Sequence, residues 1–104
     1  MEAGRIDALK GMLEKSPKDA MLHYFLGNEY FKVGRYGETI EVIRRYLTLA
    51  EDEGAAYRTL AKSLEQTGDI SGARIAYQQG IEKAIRHGHP GMAAEFEAAL
   101  KELA

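Results

Sequence analysis

Few side chains in this sequence could carry covalent or metal chemistry. The histidines are His23, His87 and His89. The last two lie in Arg86-His87-Gly88-His89-Pro90-Gly91, where two imidazoles two residues apart could hold a divalent cation weakly. Zinc sites want three or four ligands, and the next carboxylate along the chain is Glu95. The pair therefore reads as loop residues that end a helix. His23 falls on the core-facing side of a helical pattern and reads as structural. There is no cysteine, so disulfides, thiolate metal sites and cysteine nucleophiles are excluded together. Ser16, Ser63 and Ser71 lack the glycine elbow of a hydrolase nucleophile. Gly34-Arg35-Tyr36-Gly37 has neither the length nor the Lys-Ser/Thr of a phosphate loop. The acid run Glu51-Asp52-Glu53 fits a solvated loop just before a helix, where acid is favoured. The expectation is a non-catalytic protein with no cofactor and no metal.

The elements that would position a binding surface are helices. Leu22, Leu26, Tyr30 and Val33 recur at three- and four-residue steps, as one helix face requires. Gly34 supplies a left-handed stop. A second stripe follows from Tyr36 through Ile40, Ile43 and Leu47. Tyr57, Leu60, Ala61 and Leu64 restate the first stripe. Gly68-Asp69 forms the next turn, with Asp69 a good N-cap, and Ile70, Ala73, Tyr77, Ile81 and Ile85 continue beyond it. Residues 3–15 place Ile6, Leu9, Met12 and Leu13 on one face and stop at Ser16-Pro17. Residues 90–103 open on Pro90, favoured in a first turn, with Met92, Phe96, Ala99, Leu100 and Leu103 in register. No segment alternates as a strand would.

The chain also matches itself at an offset of 34 residues. Leu26 falls on Leu60, Gly27 on Ala61, Tyr30 on Leu64, Gly34 on Gly68, Tyr36 on Ile70, Thr39 on Ala73 and Ile43 on Tyr77. Each pair keeps its character. Such a helix–turn–helix period, with aromatic-x-x-Leu-small-x-x-aromatic followed by small-x-x-x-large, resembles the tetratricopeptide repeat (TPR) family. His23, Leu26, Gly27, Tyr30, Gly34, Tyr36, Thr39 and Ile43 fill the pattern once; Tyr57, Leu60, Ala61, Leu64, Gly68, Ile70, Ala73 and Tyr77 fill it again. The resemblance implies an all-α right-handed superhelix of antiparallel helix pairs, about six helices in one domain. Residues 20–53 and 54–87 would be full repeats, residues 3–17 a preceding second helix and residues 90–103 a cap. With three helix pairs, the expectation is a complete small protein. His23 stands where the family has tryptophan. Tyr46 and Gly80 replace a small alanine, and Glu51 and Ile85 replace proline.

The helix from Ala20 to Val33 carries more apolar side chains than one buried stripe needs: Met21, Tyr24, Phe25 and Phe31 are left over. The resemblance implies that first helices line a concave groove. This assigns partner binding to Met21, Tyr24, Asn28, Phe31 and Lys32, and one period later to Arg58, Lys62 and Glu65. The expected ligand is a protein or peptide with an apolar anchor and an acidic or carboxylate end. Three plainer readings stand beside it. Tyr24 and Phe31 pack against the N-terminal helix or the opposite wall, Arg58 and Lys62 form a solvated face, and Glu65 pairs with Lys62. Some family members clamp the acidic tail of heat-shock chaperones with lysines and asparagines. Asn28 matches one such position, but Tyr24 and Thr59 stand where a lysine and an asparagine would be, so that ligand is not expected.

Charge narrows the partner class further. Residues 1–53 carry 8 basic and 10 acidic side chains and residues 54–104 carry 6 and 6, so no positive cluster marks a nucleic-acid surface. No apolar run approaches the length of a membrane span, and the charged N-terminus lacks the apolar core of a signal peptide. The expectation is a cytoplasmic protein without nucleic-acid or membrane contact. Self-association through exposed aromatic or capping-helix surface is the alternative to an adaptor role.

Overall fold

A computed structural model describes the backbone of residues 2–103 and side chains from Gly4 to Leu103. Six helices account for it: α1 (Glu2–Lys15), α2 (Ala20–Lys32), α3 (Tyr36–Leu49), α4 (Ala55–Gln66), α5 (Ile70–Arg86) and α6 (Pro90–Glu102). No strand occurs among the described residues. The all-α expectation is met, and the helix ends fall where the sequence punctuates them. Asp19 Oδ1 accepts from Leu22 N at the start of α2, and Asp69 Oδ1 accepts from Gly72 N at the start of α5. Gly34, Gly68 and Gly88 follow α2, α4 and α5 with φ of 77°, 84° and 76°, the left-handed stop that glycine adopts at little cost.

The chain divides into two compact units, Met1–Glu51 and Asp52–Ala104. In the first, α2 packs on α1 and α3. Ile6, Leu9, Leu26 and Tyr30 form its buried cluster, with Leu13, Leu22 and Val42 against it. Gly27 leaves room for α3 against α2, because a β-carbon there would lie 2.5 Å from Ile43 Cδ1. Ile43 is fully buried, and burying such a side chain is worth about 1.5–3 kcal/mol.

In the second unit α5 packs on both α4 and α6. Ala56, Leu60, Ala61, Leu64, Ala73, Ala76, Tyr77, Ala84, Ala93 and Phe96 are buried. Asp52 caps α4, its Oδ2 accepting from Gly54 N at 2.8 Å and Ala56 N at 2.9 Å. Asp52 is thus buried for a structural reason, unlike the solvated loop residue expected of the acid run.

Four residues depart from their expected stripes. Met12, Val33, Ile70 and Ile85 are 51%, 39%, 41% and 63% exposed. Val33 is the C-cap of α2 and Ile70 the first residue of α5, so each has left or just entered its helix. Ile85 lies in the last turn of α5. Met12 shares α1 with Ile6 and Leu9, which supply the buried contacts. The core also takes in Glu29, a charged residue on the buried side of α2. Glu29 is 3% exposed and ion-paired to Arg5 at 3.3 Å and Lys32 at 3.2 Å.

Candidate functional site

The residues assigned to partner binding divide between α2 and α4, one set in each unit. On α2, Met21 is 49% exposed and Tyr24, Asn28 and Phe31 are half-buried. Tyr24 lies against Tyr46 of α3, ring centroids 4.9 Å apart, and Phe31 meets Tyr36 of α3 edge-on at 5.7 Å. Both rings thus contact the helix that follows them and are only partly buried. Offset and edge-on ring pairs of this kind add about 0.5–1.5 kcal/mol beyond area burial. Lys32 is exposed and its ammonium reaches Glu29.

One α2 residue was missing from the assigned set. Phe25 is 41% exposed and contacts Tyr24 at 6.2 Å between centroids. Its position was legible: Met21, Phe25, Asn28 and Lys32 follow each other at four, three and four residues, which is one ridge of an α-helix. The α2 face is therefore an apolar ridge, Met21 and Phe25, ending in an amide and an ammonium.

On α4 the picture is different, because two of the three assigned side chains have partners inside the unit. Arg58 holds Glu95 of α6 by two bonds, Nε to Oε2 at 2.6 Å and Nη2 to Oε1 at 2.8 Å. Its guanidinium also stands over the Phe96 ring at 5.6 Å. The hydrogen bond from Arg58 keeps the Glu95 carboxyl below its ordinary range, and Lys62 adds to this by its charge. Glu65 accepts from the Tyr77 hydroxyl at 2.6 Å. Burial first, and that bond second, push the Tyr77 hydroxyl well above its usual range. Lys62 lies between Arg58 and Glu65 on the helix surface, exposed.

The histidines have structural positions. His23 Nε2 donates to the Pro17 carbonyl at 2.8 Å, tying α2 to the loop before it. His89 precedes Pro90 at the start of α6, and its Nε2 bonds Glu53, whereas Glu95 is held by Arg58. Among the described residues no three histidine, cysteine, aspartate or glutamate side chains converge as metal ligands.

Paired helices in series, with no strand among the described residues, define a helical-repeat protein. Comparison with known proteins narrows the class. The chain is 31% identical over 98 residues to TPR repeat-containing protein PA0015 of Pseudomonas aeruginosa, covering 94% of this chain and 93% of that protein. The solution structure of protein BPP2914 from Bordetella parapertussis matches with a TM-score of 0.79 at 26% identity, over 94% of this chain and 85% of that one. No family model matches. The chain belongs to the TPR-repeat proteins. That family consists in general of protein–protein interaction modules and is generally non-catalytic. No helix of the described residues is long and apolar enough to cross a membrane.

Proposed function

We propose that this protein is a non-catalytic cytoplasmic adaptor that captures a protein or peptide segment, with one contact surface in each unit. The α2 face takes apolar side chains of the partner through Met21, Tyr24, Phe25 and Phe31, with Asn28 and Lys32 at its end. The α4 face, Arg58, Lys62 and Glu65, takes the acidic or carboxylate end. One observation carries the reading. Met21 and Phe25 are 49% and 41% exposed on a helix whose opposite side is already packed, so they are surplus to the fold. Apolar burial at about 25 cal/mol per Å² supplies much of the affinity, and the cations set orientation and association rate.

The test is affinity capture from the source cell's lysate with wild type, a Met21→Glu/Phe25→Glu variant and a Lys62→Glu variant. Both sites are exposed, so the variants keep the fold. A partner held by wild type, lost by the double variant and weakened by Lys62→Glu is the expected result. Equal capture by all three would overturn the assignment. A second reading, self-association, is favoured by Ile70, Ile75 and Ile85 on α5, which are 41%, 54% and 63% exposed. Light scattering that shows a concentration-dependent mass, lost on Ile75→Lys/Ile85→Lys, would select it.

A further inference from the structure

The α4 face already holds a carboxylate. Glu95 sits on Arg58 in the two-bond fork geometry that guanidinium groups use to recognise carboxylates. The pair is open to competition, its side chains being 33% and 45% exposed for Arg58 and Glu95. Lys62, one turn further along α4, is exposed and acts on the same carboxylate through its charge. Behind the pair, Phe96 of α6 fills the space at Gly80 and is fully buried, so the backbone that carries Glu95 is anchored independently of Arg58. The Glu95 side chain can let go while α6 stays in place.

We infer that Glu95 is a built-in competitor for acidic ligands, occupying on Arg58 the place that a partner's carboxylate would take. This deepens the adaptor reading and rests on it: the ligand class is an acidic peptide segment, and α6 sets its affinity. A partner carboxylate exchanges with Glu95 on the Arg58 fork and meets Lys62 beside it. Because the exchange replaces one carboxylate by another, wild-type affinity for a purely acidic segment is low. The apolar anchor on the partner is then what makes binding selective.

The test uses the full chain and a fluorescein-labelled hexaglutamate, followed by anisotropy at low ionic strength. Glu95→Gln should bind it about two- to fivefold more tightly than wild type, the range expected for freeing one exposed ion pair. Adding Arg58→Gln should remove that gain. Glu97→Gln, which alters the charge of the same helix by the same amount, should not reproduce it. The Arg58 side-chain Nε resonance gives a second readout: hexaglutamate should shift it in wild type and shift it at lower concentration in Glu95→Gln. An equal gain in Glu97→Gln, a gain that survives Arg58→Gln, or an unmoved Arg58 resonance would each overturn the inference. If any of these occurs while Met21→Glu/Phe25→Glu still loses the captured partner, the competitor role falls and the adaptor reading stands. If the captured partner is unaffected by that variant but hexaglutamate behaves as expected, the α2 assignment falls instead.

Discussion

The two units solve one packing problem in opposite ways. At equivalent positions of the 34-residue period, the first has Tyr24 and Tyr46 and the second has Arg58 and Gly80. In the first unit the space between paired helices is filled from within: Tyr46 of α3 is 6% exposed and its ring lies on Tyr24. In the second, Gly80 of α5 leaves a gap that Phe96 of α6 enters. Phe96 is fully buried, lies 5.7 Å from the Tyr77 ring and passes under Arg58. The two departures from the family's small alanine are thus linked to where the ring comes from. A tyrosine in the period makes a helix pair that supplies its own ring; a glycine makes one that needs a third helix.

The largest test of that contrast is Phe96→Ala. Emptying a fully buried aromatic position costs about 3–5 kcal/mol, and urea unfolding followed by far-UV circular dichroism should show a loss of that order. A loss under about 1 kcal/mol would mean that the ring does not stabilise the second unit, since even single buried methylenes carry close to that value. Next comes Gly80→Ala. A methyl group there would lie 2.6 Å from Phe96 Cε2 and 3.0 Å from Tyr57 Cβ, and Tyr57 Cβ is fixed by its own helix. Overpacking of about 1–3 kcal/mol should outweigh the helix-propensity gain of about 1 kcal/mol from replacing glycine. Combining it with Phe96→Leu should recover part of the loss, and simple additivity in that cycle would break the proposed fit. Gly27→Ala is the counterpart in the first unit. There the added methyl meets Cδ1 and Cγ1 of the fully buried, β-branched Ile43 at 2.5 and 2.7 Å, so it should also destabilise by overpacking, about 1–3 kcal/mol.

How far this was readable in the sequence follows from the same residues. Periodicity in Leu22, Leu26, Tyr30 and their counterparts Leu60 and Leu64 places helices, because a helix must bury one stripe, and Gly34 and Gly68 mark turns because of their backbone freedom. Tyr46 and Gly80 were visible as departures, but a period records only which position is unusual. That Phe96 fills Gly80 is a contact between α5 and α6, and no spacing within one helix encodes it. The α4 face shows the same limit. Arg58 and Glu65 were legible as one helix face, but their partners Glu95 and Tyr77 lie 37 and 12 residues away. Glu29 is the reverse case: it stands three residues after Leu26 on the buried side, and its polarity hid a position that spacing had already put inside.

Helix capping offers a smaller contrast. Asp52 is 8% exposed and accepts two backbone bonds at the start of α4, whereas Asp19 is exposed and accepts one, from Leu22 at 3.3 Å, at the start of α2. Loss of a capping side chain costs about 0.5–2 kcal/mol. Asp52→Ala should fall near the top of that range and Asp19→Ala near the bottom, as read by urea unfolding. Equal costs would mean that burial of the cap contributes nothing.

The smallest expected effect separates the units by the partner of an acid. Glu38 is bonded by Arg35 at the start of α3, and Glu53 by His89 across the second unit. Both carboxyls are held below their ordinary value of 4.5, each chiefly by that bond. A carboxyl whose folded value is depressed stabilises the fold above its unfolded value and loses that contribution as pH falls through the folded one. Glu38→Gln and Glu53→Gln should therefore each lower Tm near pH 5.5 and converge with wild type as pH drops well below 4.5. Arginine stays charged, so the Glu38 effect should hold level through neutral pH. Melting curves of the two variants against wild type from acid to neutral pH would show both deficits opening as pH rises through the carboxylate range. A deficit that persisted unchanged well below pH 4.5 in either variant would mean that the carboxylate's charge plays no part in that contact.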